Sequence, residues 1–168
     1  MEWSKSQLDG MVVKPVSFDV KEQVDVNIRL LDSQIKMKEL TVENTITDTV
    51  VAFADANMIN VVIRNLISNA VKFCNPHDAI TIKSEMTDQG IVLSIRDTGP
   101  GIAEKDLDKL FNLEHTITSS NTGEKGHQIG LVLCKDMIEQ NNGAIHVQSK
   151  VGDGTTFYIE LPSKIDFI

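Results

Sequence analysis

One stretch limits what the rest of the chain can do. Residues 57–73 read Asn-Met-Ile-Asn-Val-Val-Ile-Arg-Asn-Leu-Ile-Ser-Asn-Ala-Val-Lys-Phe. At about 100° per residue, Val62, Ile63, Leu66, Ile67, Ala70, Val71 and Phe73 fall on one side, the pattern of a helix laid on a core. Asn60, Arg64, Asn65, Ser68, Asn69 and Lys72 fall on the other. Within that polar half, Asn65, Asn69 and Lys72 are spaced i, i+4, i+7 and share roughly 60° of arc. Amides compete for local backbone hydrogen bonds and are poor helix formers, so a merely solvated face more cheaply carries Glu and Lys. Two readings follow. The stripe is an ordinary polar face rich in Asn, or it is a site for a metal ion and anionic oxygens. An amide oxygen is a hard neutral ligand for Mg²⁺, and Lys is a point charge for phosphate.

The remaining elements are arranged around this helix. Ser17 or Asp19 caps a helix over 20–37, with Val24, Ile28, Leu31 and Ile35 as its apolar stripe. Residues 40–44 and 49–54 are rich in β-branched side chains and read as strands. Asp55 caps the central helix, and Asn75-Pro-His-Asp ends it. Residues 79–86 alternate cleanly, Asp88-Gln-Gly90 turns the chain, and 91–96 return as a hairpin. A short helix over 104–111 precedes a polar, small-residued segment over 112–126, long enough inside a compact domain to point to function. A helix over 126–142 stops at Gly143, and strands 144–149 and 155–161 form a second hairpin. Hairpin-linked strands with few βαβ units predict an α+β fold, a two-layer sandwich of a mixed, mostly antiparallel sheet covered on one face by helices.

Composition narrows the function classes. The 168 residues suffice for one domain with a sizeable core. A net charge of −8 argues against nucleic acid or an anionic membrane as the main partner. If so acidic a chain binds a polyanion, it does so in a locally positive or dipole-rich pocket. Cys74 and Cys134 stand outside any CxxC or Cys/His cluster, which disfavours structural zinc and suits a reducing compartment. His77, His115, His127 and His146 show no metal-ligand spacing.

Three glycine-bearing segments accompany the central helix. Asp97-Thr-Gly-Pro-Gly-Ile102 follows a strand; its glycines are turn residues or let backbone approach a flat ligand, and a carboxylate beside them suits an exocyclic amine. Gly123-Glu-Lys-Gly-His-Gln-Ile-Gly-Leu131 opens a helix, where free N–H groups favour phosphate. Its spacing is neither that of a P-loop nor that of a Rossmann fingerprint. Gly152-Asp-Gly-Thr-Thr-Phe157 is a hairpin turn.

Together and in this order, the segments resemble the catalytic ATP-binding domain of sensor histidine kinases, in the wider family that also holds gyrase-, HSP90- and MutL-type ATPases. Residues 65–73 resemble the N box, 97–101 the first glycine box, Leu110-Phe111 the F box, 126–131 the second glycine box and 152–157 the third. The resemblance implies a Bergerat ATP-binding fold with ATP and Mg²⁺ as cofactors. It assigns Asn69, with Asn65 beside it, to the metal and gives Asn65, Asn69 and Lys72 the catalytic roles. Lys72 contacts a phosphate, and Phe73 lies against the nucleoside. Asp97 accepts from the adenine amine, with Thr155 supporting it through water. Gly99, Gly101 and Ile102 shape the adenine pocket. Residues 112–126 correspond to a lid from which Lys125 reaches the terminal phosphates, over a cradle at Gly126, Gly130 and Leu131.

The ATPase branches carry a water-activating Glu one helical turn before the metal-binding Asn; here that position is Asn65, which favours the kinase branch. The second glycine box departs from the pattern, with Gln128 where a middle glycine is common. Gln128→Gly is expected to tighten nucleotide binding. No histidine fits the phosphoacceptor. The expected organisation is therefore the end of a dimerisation helix and linker over 1–14, the catalytic domain over 15–162 and a tail over 163–168. The expected partners are a histidine-bearing dimerisation domain and, through it, a response regulator receiver domain, with no nucleic acid and no direct membrane contact. A monomeric, cytoplasmic fragment is expected, within a protein that phosphorylates a histidine outside this chain. The competing expectation is a degenerate nucleotide-binding module without transfer.

Overall fold

The computed structural model describes residues 12–111 and 124–163, with side chains left aside for 124–129. Five strands form the main sheet: β2 (Thr41–Asn44), β4 (Ala79–Thr87), β5 (Gly90–Asp97), β6 (Ala144–Lys150) and β7 (Gly154–Leu161). Their spatial order is β2-β4-β5-β7-β6. Only β2 and β4 run parallel; the three other pairings are antiparallel. A separate antiparallel ribbon joins β1 (Val16–Asp19) to β3 (Val51–Ala54). The helices are α1 (Val20–Leu30), α2 (Asp32–Met37), α3 (Ala56–Phe73), α4 (Glu104–Leu107) and α5 (Glu124–Gln140).

Strand alternation decides the layering. On β4, β5 and β7 the rows Ile80-Ile82, Ile91-Leu93-Ile95 and Phe157-Ile159-Leu161 are buried. They face Ile59, Val62, Ile63, Leu66 and Ile67 of α3, Leu131, Cys134 and Ile138 of α5, and Val20 and Val24 of α1 in one core. The intervening positions Lys83, Glu85, Arg96 and His146 are exposed, so the sheet is covered on one face only, as the sequence predicts. The parallel β2–β4 pair needs a long crossover, and α3 lies within it.

Several local expectations change. The helix expected over 20–37 is two helices, because the chain leaves α geometry at Leu31 (φ −99°, ψ 8°) before Asp32 starts a new turn. The helix expected over 104–111 ends at Leu107. At the end of α5 the residue at positive φ is Asn142 (φ 61°), not Gly143. Gly143 is held instead by space, since a Cβ there would lie 2.2 Å from the Glu160 carbonyl oxygen. The assignments of residues 1–11, 112–123 and 164–168, with most of the proposed lid, lie outside the described residues; residues 124–126, the lid's expected end, are the start of α5. None of the described helices is long and apolar enough to cross a membrane.

Candidate functional site

The central helix supplies the floor. Asp55 caps α3 by accepting from the N–H groups of Asn57 (3.1 Å) and Met58 (3.2 Å). Its other carboxylate oxygen accepts from the Lys14 N–H at 3.0 Å. The polar stripe then divides into two functions. Asn60 and Arg64 turn toward α1: Asn27, 0 % exposed, donates to Asn60 Oδ1 at 2.8 Å and accepts from Arg64 Nε at 3.4 Å. That part of the stripe is a packing interface. Asn65 donates its amide to the Val61 carbonyl (2.9 Å), and its Oδ1 lies 3.2 Å from where a Cβ on Gly130 would stand. A carboxamide oxygen therefore faces the glycine-rich first half of α5. Asn69, one turn on, is 8 % exposed, so it is no solvent-face residue. Lys72 is exposed.

The C-terminal end of α3 is braced by a residue that local sequence reasoning misses. Lys38 Nζ donates to the carbonyls of Val71 (2.9 Å), Lys72 (2.7 Å) and Cys74 (2.9 Å), satisfying acceptors that a helix C-terminus leaves open. Phe73, expected on the apolar side, is 44 % exposed at the last residue of α3. A Cβ on Gly99 would meet the Phe73 carbonyl oxygen at 3.3 Å and Asp97 Oδ1 at 3.0 Å. The end of the N-box-like helix and the Asp97–Gly99 turn are thus one packed unit.

Asp97 is on the core-facing row at the end of β5, opposite Ile80 on β4 and Thr155 on β7. It is buried and accepts from the Gly99 N–H at 2.9 Å. Burial pushes its carboxyl above the ordinary value, an effect that Asp78 reinforces and the N–H groups of Gly99 and Thr155 oppose. A carboxylate at a strand end, with a glycine turn beside it, has the chemistry to accept from an N–H donor.

The second hairpin is stitched to this turn. Gly101 has φ 78°, and a Cβ there would stand 2.2 Å from the Lys150 carbonyl oxygen; Gly154 has φ 82°, with 2.0 Å to the Asp97 carbonyl oxygen. Only glycine accepts both the dihedral and the contact. The Gly152 N–H donates to the Pro100 carbonyl at 2.9 Å. Ser149 Oγ joins three neighbours: it accepts from the Ile102 N–H (2.7 Å), donates to the Gly154 carbonyl (2.9 Å) and bonds Thr155 Oγ1 (2.7 Å). Alternation offered a signal for Ser149, the polar member of the core-facing row Ile145-Val147-Ser149. Lys38 had none, since its acceptors lie 33 to 36 positions away.

Phe73, Asp97, Gly99, Gly101, Ile102 and Thr155 therefore gather around one end of α3, and Asn65 meets Gly130 nearer its middle. Leu131, next to Gly130 on α5, is 4 % exposed and belongs to the core cluster. Lys125, Gly126 and Gln128 stand in the first turns of α5, and their side chains lie outside the described residues. Cys74 and Cys134 are buried thiols, each pushed up to about 12 mainly by desolvation, and are inert at neutral pH.

Residues 54–165 match the profile of the histidine kinase-, DNA gyrase B- and HSP90-like ATPases. The sensor protein SrrB of Staphylococcus aureus is 38% identical over 109 residues, which is 64% of this chain and 19% of that protein. The chain thus spans about a fifth of the length of that curated relative. The catalytic domain of histidine kinase ThkA has the same fold, with a TM-score of 0.78 at 24% identity, covering 92% of this chain and 99% of that one. Histidine kinase ThkA in complex with the response regulator protein TrrA superposes with a TM-score of 0.74 at 24% identity, covering 95% of this chain and 46% of that one.

Proposed function

The chain belongs to the histidine kinase-, DNA gyrase B- and HSP90-like ATPase family, and on that premise we propose that it is the ATP-binding, phosphoryl-donating domain of a two-component sensor histidine kinase. One observation carries the reading. Along α3, Asn65 faces Gly130 in the first half of α5, and the Phe73 end packs on the Asp97–Gly99 turn. The two points are about 12 Å apart at 1.5 Å per residue, a distance that a base at one end and phosphates at the other bridge.

Asp97 would accept from the adenine amine. Phe73, exposed above the turn, would cover the nucleoside. Asn65 and Asn69 would hold Mg²⁺. The donor set fits: the Asn65 Nδ2 is already committed to the Val61 carbonyl, which leaves a neutral oxygen for a hard cation. The ion, when bound, neutralises charge developing on the transferred phosphoryl group. Lys72 would add a point charge on the same face, and Lys125 and the backbone from Gly126 to Gly130 would receive the terminal phosphates. The position one turn before Asn69 is an amide, Asn65, and no carboxylate on α3 stands there to activate water. Transfer to a nucleophile brought by another domain is therefore favoured over hydrolysis. The acceptor would be a histidine on a dimerisation domain and the next recipient a response regulator receiver domain. The pairing of ThkA with TrrA supports that partner class.

Two measurements test this. Mg-ADP at about 100 times Kd should stabilise the chain by about 2.7 kcal/mol in thermal unfolding. Labelled ATP should leave this chain unlabelled alone and label a separately made histidine hairpin domain in its presence. Binding without transfer would select the degenerate module instead.

A further inference from the structure

Ser149 has no place in the scheme above, yet it bonds three residues at the Asp97 end of the site, Ile102, Gly154 and Thr155. Its Oγ is within hydrogen-bond distance of the Ile102 N–H, the Gly154 carbonyl and the Thr155 hydroxyl. A serine hydroxyl has one proton and two lone pairs. The Ile102 N–H can only donate and the Gly154 carbonyl can only accept. One lone pair and the proton are thereby used. The contact left, 2.7 Å to Thr155 Oγ1, is satisfied in one way: Thr155 donates its proton to Ser149.

Thr155 is register-paired with Asp97, so the two side chains share the core-facing row at adjacent strand ends. A Thr155 proton directed at Ser149 leaves Oγ1 with lone pairs alone to offer beside the Asp97 carboxylate. We propose that Ser149 is a positioning and specificity-determining residue, which orients the Thr155 hydroxyl as an acceptor and so makes the base end of the pocket selective for a 6-amino over a 6-oxo purine. Two acceptors side by side match an exocyclic amine, which brings two N–H donors. They oppose a carbonyl oxygen at the same place, because a site built of acceptors leaves that oxygen desolvated and unpaired.

The inference rests on the nucleotide reading, and calorimetric titration of the chain with Mg-ADP and with Mg-IDP separates the two. Failure of the wild-type chain to bind either nucleotide would overturn the nucleotide reading itself. If it binds, ADP should be preferred, and Ser149→Ala should lower the ADP-to-IDP affinity ratio by about tenfold, since Thr155 then regains a proton to donate. Thr155→Val should lower the same ratio by itself, and adding Ser149→Ala to Thr155→Val should change it no further. An unchanged ratio in Ser149→Ala, with both affinities unaltered or falling by one common factor, would show a purely structural serine. A further fall in the double variant would show that Ser149 acts through some other group.

Discussion

Asp97, the proposed adenine acceptor, is held where burial opposes its charge. Its carboxyl is raised in the fold, chiefly by burial, from an ordinary value of 3.8. A raised acid binds its proton more tightly folded than unfolded, so ionisation above the folded value costs stability, and that cost vanishes below the unfolded value. Asp97→Asn keeps an oxygen for the Gly99 N–H and removes the charge. The nucleotide-free variant should therefore be more stable than wild type to urea at pH 7, with the gain shrinking as pH falls toward 3.8. Mg-ADP should bind it at least about tenfold more weakly, since an amide sets a donor against a ligand donor. Equal urea midpoints for the two proteins at every pH would contradict this account. The asparagines teach a second lesson at this scale. Asn27, Asn60 and Asn141 are as polar in sequence as Asn65 and Asn69, yet they serve packing. Asn141 accepts from the Asp55 N–H at 2.7 Å and donates to the Met137 carbonyl at 2.7 Å. Spacing separated Asn65 and Asn69 from the rest only because Lys72 and the glycine segments accompanied them.

The elements differ in how far the sequence reveals them. The body of α3 and the two hairpins follow from periodicity, because burial on one face imposes a repeat that composition displays. Element ends and neighbours do not, since they depend on groups distant in sequence. The break at Leu31, the parallel seat of β2 beside β4 and the exposure of Phe73 are all decided by what packs alongside. Lys38 is the clearest case, and it supports a prediction. Removing three charge-assisted hydrogen bonds at a helix C-terminus in Lys38→Met should cost about 1–3 kcal/mol in chemical denaturation. Lys36→Met is the matched control. Lys36 lies in the last turn of α2, two residues before Lys38, but its pair with Asp32 at 2.9 Å is solvent-exposed, so the loss should stay below about 0.5 kcal/mol. Similar losses for both would mean that the cap on α3 contributes no more than a surface ion pair.

At the scale of the molecule, a net charge of −8 is compatible with the proposed polyanionic ligand through confinement, with amides, glycine backbone and the first half of α5 gathered on one face of α3. The seam between β5 and β7 has a further consequence. Asp97 meets Thr155, and Ile91 meets Leu161, across a stretch of chain that contains α4, α5 and β6. Closing so long a stretch costs entropy before any contact compensates it, and that entropy rises only logarithmically with length. Lengthening the segment between α4 and α5 should thus weaken the fold only slightly, with each doubling of the closed stretch costing about 0.6 kcal/mol. Ending the chain at residue 140 should instead abolish both cooperative unfolding and Mg-ADP binding, as read by circular dichroism and calorimetry. The proposed base site is built on the most non-local pairing in the sheet, so on that reading ligand occupancy would report completion of folding, since the seam that carries it closes only when β7 has docked.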